Sequence, residues 1–174
     1  MSTYLLRFML AMLFILPTSI VAQEVDIATQ KVTNQKIDSL LTVAATAIEN
    51  NNYSNSAQIM TRARILAEKT NNTDRIGLAS SALSRLYLLT GNLKKAKEEN
   101  ELAIKMQQDP DNDENLAQSY ITAAKITQQE QNFIEASEFL EKAEIILKNK
   151  RRPELLAQVY ICLLYTSPSP RDRG

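Results

Sequence analysis

Apolar side chains in this sequence recur with helical rather than strand spacing. Leu78, Ala82, Leu83, Leu86 and Tyr87 stand at i, i+4, i+5, i+8 and i+9, which lays them along one stripe of an α-helix. Stretches of this kind are separated by short polar breaks of two sorts. Tight ones fall at Asn50 to Asn52, Thr90 to Asn92 and Glu130 to Asn132, where Gly and Asn tolerate the left-handed conformation that ends a helix. The others are "TNNTD" from Thr70, "DPDND" from Asp109 and "KNKRRPE" from Lys148. The last two place Pro110 and Pro153 near the start of the next helix. The pattern predicts a unit of helix A, tight turn, helix B and loop, used more than once.

The unit repeats at a constant step. "NNYSNSAQIMTRA" from Asn51, "GNLKKAKEENELA" from Gly91 and "QNFIEASEFLEKA" from Gln131 align without a gap, so Tyr53, Leu93 and Phe133 lie 40 residues apart. The register continues through Ser56, Ala96 and Ala136, and through Ala63, Ala103 and Ala143. Helices packed at about 8–10 Å need short side chains where their backbones approach. These small residues therefore predict the helix A–helix B contacts, and Tyr53, Leu93 and Phe133 are expected to seal each turn. A single hairpin cannot bury its apolar face, whereas stacked hairpins share a continuous core.

With these residues in hand, the chain resembles the tetratricopeptide repeat family, whose unit is about 34 residues long. Gly91, Asn92, Leu93, Ala96, Asn100 and Ala103 take the positions of that motif. So do Gln131, Asn132, Phe133, Ala136, Leu140 and Ala143, while Leu83, Ser84 and Tyr87 match its helix A pattern. The step here is longer, Asn100 stands where a bulky residue is usual, and Ala47 and Thr127 replace the helix A aromatic. The resemblance implies an all-α fold of antiparallel helix hairpins stacked as a right-handed α-solenoid, covering residues 33–161. The units are approximately 33–72, 73–112, 113–152 and a partial 153–161.

Two ends differ in character from this body. "MSTYLLRFMLAMLFILPTSIVAQE" has Arg7, an apolar run from Phe8 to Leu16, Pro17 and small or apolar residues to Ala22, the three-part layout of a secretory signal peptide spanning 1–22. Its apolar run is shorter than the roughly 20 residues a membrane anchor needs. Residues 23–32 read as a linker. The expected location is the periplasmic or extracytoplasmic side of a bacterial membrane. At the other end, "LAQSYI" from Leu116 recurs as "LAQVYI" from Leu156, and the match stops at Cys162. "CLLYTSPSPRD" can be back-translated in frame into a transposase-based sequencing adaptor, so 162–174 are expected to be a non-native tail on a protein that continued beyond Ile161.

Composition narrows the chemistry. The chain has 20 basic and 20 acidic side chains, no His, three Gly and one Cys. It thus lacks the commonest general base and metal ligand, and no glycine-rich phosphate loop is present. Balanced charge gives no basic stripe for nucleic acid. Asp109, Asp111 and Asp113 alternate as in a calcium loop, but Glu114 stands where Gly is required and Tyr120 where the closing Glu should be. No catalytic, cofactor-binding or metal site is therefore expected. "NYS" at Asn52 and "NNT" at Asn71 fit the glycosylation pattern within Asn-rich turns. The acids Glu98, Glu99, Glu101, Glu135, Glu138 and Glu141 read as a solvated face of helix B.

Arg85 and Lys125 are one step of 40 apart on helix A, the helix that lines the concave groove in the family resembled. There they are expected to meet a carboxylate or an acidic peptide, with Gln118, Ile121 and Gln128 nearby. The resemblance implies a non-enzymatic module that binds a protein or peptide. Its expected setting is the exported sensor region of a bacterial signalling protein with a histidine kinase or helix-turn-helix output. A free-standing periplasmic scaffold, or the repeat region of an enzyme whose catalytic domain is missing, are the alternatives. Contact with a membrane is expected only through the signal peptide or a missing downstream helix.

Overall fold

The computed structural model describes residues 27–107, 113–150 and 152–166. Residues 1–26, which include the expected signal peptide, residues 108–112, Arg151 and residues 167–174 lie outside the described residues. The described residues hold seven helices and no strand: α1 (27–49), α2 (Tyr53–Lys69), α3 (Thr73–Leu89), α4 (Leu93–Met106), α5 (Asp113–Gln129), α6 (Phe133–Lys150) and α7 (Pro153–Thr166). Each helix from α2 onward packs on the next, and α3 also meets α5 as α5 meets α7. Residues 37–166 are thus an all-α stack of helix hairpins.

One local device makes the turns. Asn51, Gly91 and Gln131, at the constant step, all have positive φ (57°, 75° and 62°), and so does Asn71 between α2 and α3 (50°). In each case the residue that follows is an asparagine that serves two helices. Its N–H closes the preceding helix by bonding five residues back, as Asn92 N does to the Tyr87 carbonyl oxygen at 2.8 Å. Its side-chain oxygen then accepts the N–H three residues on, as in Lys95 N to Asn92 Oδ1 at 3.2 Å, capping the helix that follows. Asn52, Asn72 and Asn132 repeat both bonds. The "TNNTD" break is therefore the same tight turn as those inside each unit.

Gln131 is the one residue in this set with neither glycine's freedom nor asparagine's tolerance for the left-handed region. Gln131→Gly should relieve strain of about 1–2 kcal/mol against about 0.4–1 kcal/mol of added chain entropy in the unfolded state. The net expectation is a melting temperature higher by about 2–4 °C for each kcal/mol gained. A thermal melt of the variant showing no rise or a fall would count against the assignment.

Small residues sit where the helices cross, as their register predicts. Ser56 Oγ donates to the Ala44 carbonyl oxygen at 2.8 Å, and Ser84 Oγ to that of Ala96 at 2.7 Å, so a helix A and its helix B approach within reach of one hydroxyl. The third hairpin uses Ala124 and Ala136 there, both fully buried. Ala63, Ala96, Ala103, Ala143, Leu83 and Leu140 are also fully buried, while Tyr53, Tyr87 and Leu93 are half-buried.

Phe133 departs from its expected role: it is 46% exposed and does not seal its turn. Tyr53 and Ile48 both pack onto the cluster of Ala44, Met60, Leu83 and Leu86. The position equivalent to Ile48 in the third hairpin is Gln128, whose polar side chain leaves Phe133 little apolar surface to cover. Two boundaries also shift. Residues 27–32, read as linker, are helical, with no Gly or Pro to prevent it. And α7 runs through Cys162 to Thr166, with Cys162 itself buried in the core beside Val159 and Leu147. Burial pushes its thiol pKa up, against the opposing pull of the nearby Lys125 charge.

Candidate functional site

The first helix of each hairpin carries two stripes about 100° apart, because a helix turns by that much per residue. On α5 one stripe is Ala117, Ile121 and Ala124, fully buried against Ala136, Leu140, Ala143 and Leu147 of α6. The other, one residue further on, is Gln118, Thr122, Lys125 and Gln129, and it lines an open groove of about 730 Å³. Residues of neighbouring helices complete the groove: Leu41, Ala45 and Ile48 from α1, Ala82, Arg85 and Leu89 from α3, and Gln158 from α7. The step of 40 is visible in its walls, with Ala45, Arg85 and Lys125 in one row and Gln118 and Gln158 in another.

Of the residues expected to contact a ligand, the structure brings Arg85, Gln118 and Lys125 together in this groove. Ile121 is fully buried on the other stripe and belongs to the core. Gln128 lies on that stripe too, and its Nε2 donates to the Cys162 carbonyl oxygen at 3.0 Å, tying α5 to α7. Thr122, Gln129, Gln158 and Leu89 are lining residues that the sequence reading left out. Carrying the Arg85–Lys125 register one turn along the helix to Leu89 and Gln129, and the Gln118 register one unit on to Gln158, would have found three of them.

Some basic side chains meet carboxylates, as Arg75 with Asp38 at 3.0 Å, Lys97 with Glu130 at 3.4 Å, Lys148 with Glu144 at 2.9 Å and Arg152 with Glu114 at 2.7 Å, while Lys95 and Lys142 lie over aromatic rings. Neither Arg85 nor Lys125 has an ion-pair partner among the described residues, and no acidic side chain is among the described residues lining the groove. The groove thus offers two positive charges, three glutamine amides and an aliphatic floor, while the Thr122 hydroxyl is buried and donates to the Gln118 carbonyl oxygen at 2.9 Å.

Neither a family model nor a curated protein matches this chain significantly. Among the described residues no group of three His, Cys, Asp or Glu is placed to hold a metal ion, and no helix is long and apolar enough to cross a membrane. On the helix B face, Glu98, Glu101, Glu138 and Glu141 are exposed. Glu135 accepts a bond from Asn132 Nδ2 at 2.7 Å, and Glu99 lies 3.8 Å from Arg64, so these two have structural partners.

Proposed function

We propose that this chain is a non-catalytic interaction module of the tetratricopeptide type whose groove holds an acidic segment of a protein or peptide. The observation that carries the reading is the pair Arg85 and Lys125, in one row of an open groove with no carboxylate beside them among the described residues. An extended peptide lying across successive helices can present acidic side chains to these two, while Gln118, Gln129 and Gln158 hydrogen-bond its backbone. Aliphatic Leu41 and Leu89 give apolar residues a surface to cover. The N-terminal pattern favours an exported protein, and the sensor region of a signalling protein is the setting that suits an exported peptide-binding stack.

Fluorescence anisotropy with a labelled heptaglutamate peptide tests this. Binding should weaken as salt is raised, because the Debye length falls. Arg85→Glu and Lys125→Glu should each weaken it by about tenfold, which corresponds to about 1.4 kcal/mol. A heptaglutamine peptide should bind less well than heptaglutamate. Equal binding of the two peptides, or indifference to both substitutions, would overturn the reading.

A further inference from the structure

The apolar core of the stack thins between α4 and α5. One part joins α1, α2 and α3 through Ile37, Ala67, Met60 and Leu83. Another joins α5, α6 and α7 through Ile121, Leu140, Leu147 and Val159. The contacts of α4 with α5 are less extensive than those at the equivalent boundaries, α2 with α3 and α6 with α7. Between the two parts, buried polar side chains lie among the buried apolar residues Ala103, Ala123 and Ile126.

The repeat shows that this is a local replacement rather than a property of the fold. Gln107 is 1% exposed, at the register where the other units bury Ala67 and Leu147. Asn100 stands where they bury Met60 and Leu140, and Ser119 where α3 and α7 bury Ala79 and Val159. Ser81 takes the register of Ile121. The departures thus meet at one boundary. Room has been made for them, because a Cβ on Gly77 would lie 2.7 Å from Gln107 Cγ.

The polar groups are only partly satisfied by one another. Ser119 Oγ lies 2.7 Å from Gln107 Oε1 and 3.3 Å from Ser81 Oγ. With one proton, Ser119 donates to Gln107 and accepts from Ser81. Ser80 Oγ, Asn100 Oδ1 and Gln107 Nε2 are buried without a hydrogen-bond partner. Opening this boundary to water would give Asn100 and Gln107 partners, and it exposes less apolar surface than the equivalent boundaries, which bury Met60 and Leu140 at the register of Asn100 and Ala67 and Leu147 at that of Gln107, so it costs less than opening those. In a stack held by nearest-neighbour interfaces, the weakest interface is where cooperativity breaks.

We propose that this polar seam is a hinge dividing the stack into two cooperative units, residues 37–107 and 113–166, and that a ligand spanning Arg85 and Lys125 closes it. The closure rests on the groove reading above; the hinge does not. Arg85 stands on one side of the seam and Lys125 on the other, so a bound acidic segment contacts both units. A ligand that favours the closed state in this way shifts the population toward it.

Hydrogen exchange on the full chain, read by mass spectrometry, tests both parts. Without ligand, amides of α5 should exchange at least tenfold faster than those of α3. The variant Asn100→Leu, Gln107→Leu, Ser119→Ala, which restores the apolar registers, should slow α5 at least tenfold; Asn100→Leu alone should slow it less. Equal protection of α3 and α5 in the parent chain, or no slowing in either variant, would overturn the hinge. Heptaglutamate should slow exchange in α5 of the parent but not of Arg85→Glu. If anisotropy shows the peptide bound while exchange in α5 is unchanged, closure is refuted. If no peptide binds, the groove reading fails and closure with it, while the ligand-free comparison still decides the hinge.

Discussion

Replacing Asn100 with leucine should raise the stability of the chain by about 2 kcal/mol, a rise of roughly 4–8 °C in melting temperature. Asn100 is 3% exposed and its Oδ1 has no partner, and a buried unsatisfied acceptor costs about 1–3 kcal/mol. A small cavity of about 60 Å³ also adjoins it, walled by Ile104, Ala123, Ile126 and Phe139 among others, so a leucine finds both space and apolar contacts. The equivalent positions hold Met60 and Leu140, both buried, which shows that the backbone here accommodates a long apolar side chain. The reciprocal change, Leu140→Asn, should cost about 3–4 kcal/mol because it creates a cavity and an orphaned amide together. Chemical denaturation of the two variants checks both signs. A destabilised Asn100→Leu would mean that Asn100 makes a bond that the static arrangement does not hold.

The features that could be read from the sequence are those fixed within a few residues or by the repeat itself. A turn needing positive φ advertises itself through Asn51 and Gly91, and a helix crossing through Ser56, Ala96 and Ala136, because each demand falls on a residue type that little else explains. What was misread depended on rotation about a helix axis or on contact with a distant element. Ile121 is only one turn from Lys125, yet it belongs with Ala117 and Ala124 on the stripe facing α6, and its own hydrophobicity was the signal passed over. Gln128 could not be assigned locally, since its partner is a carbonyl oxygen on α7. Helix α7 continues past Ile161 although the repeat match ends there. Helix formation asks only that Cys162, Leu163 and Leu164 fit a helix, not that they match an earlier unit. The seam is half visible in the sequence: Asn100 stands out where a bulky residue is usual, but Gln107 and Ser119 gain meaning only through the convergence of α3, α4 and α5 on them.

Ala136→Leu should have the opposite and larger effect, a loss of about 3 kcal/mol and a melting temperature lower by about 6–12 °C. Overpacking a well-filled core usually costs about 1–3 kcal/mol. The upper end is expected here because the obstruction is backbone. Ala136 is fully buried against Ala124, at the crossing where the two earlier hairpins bring a serine hydroxyl within 2.8 and 2.7 Å of the opposing carbonyl oxygen. A leucine cannot be accommodated by a rotamer change when the facing atoms belong to a helix axis, so α5 and α6 must separate and the cluster of Ile121, Leu140 and Leu147 opens with them. Ala136→Ser supplies the contrast. Its hydroxyl repeats what Ser56 does in the first hairpin and can donate to the Ala124 carbonyl oxygen, so its melting temperature should stay within a few degrees of the parent. Ala157→Leu, on an exposed face of α7, should be near neutral. If Ala136→Leu melts with these two, the crossing has slack and close backbone approach is not what fixes the small residues at this step. If it alone collapses, the spacing of 40 is set by contact between helix backbones.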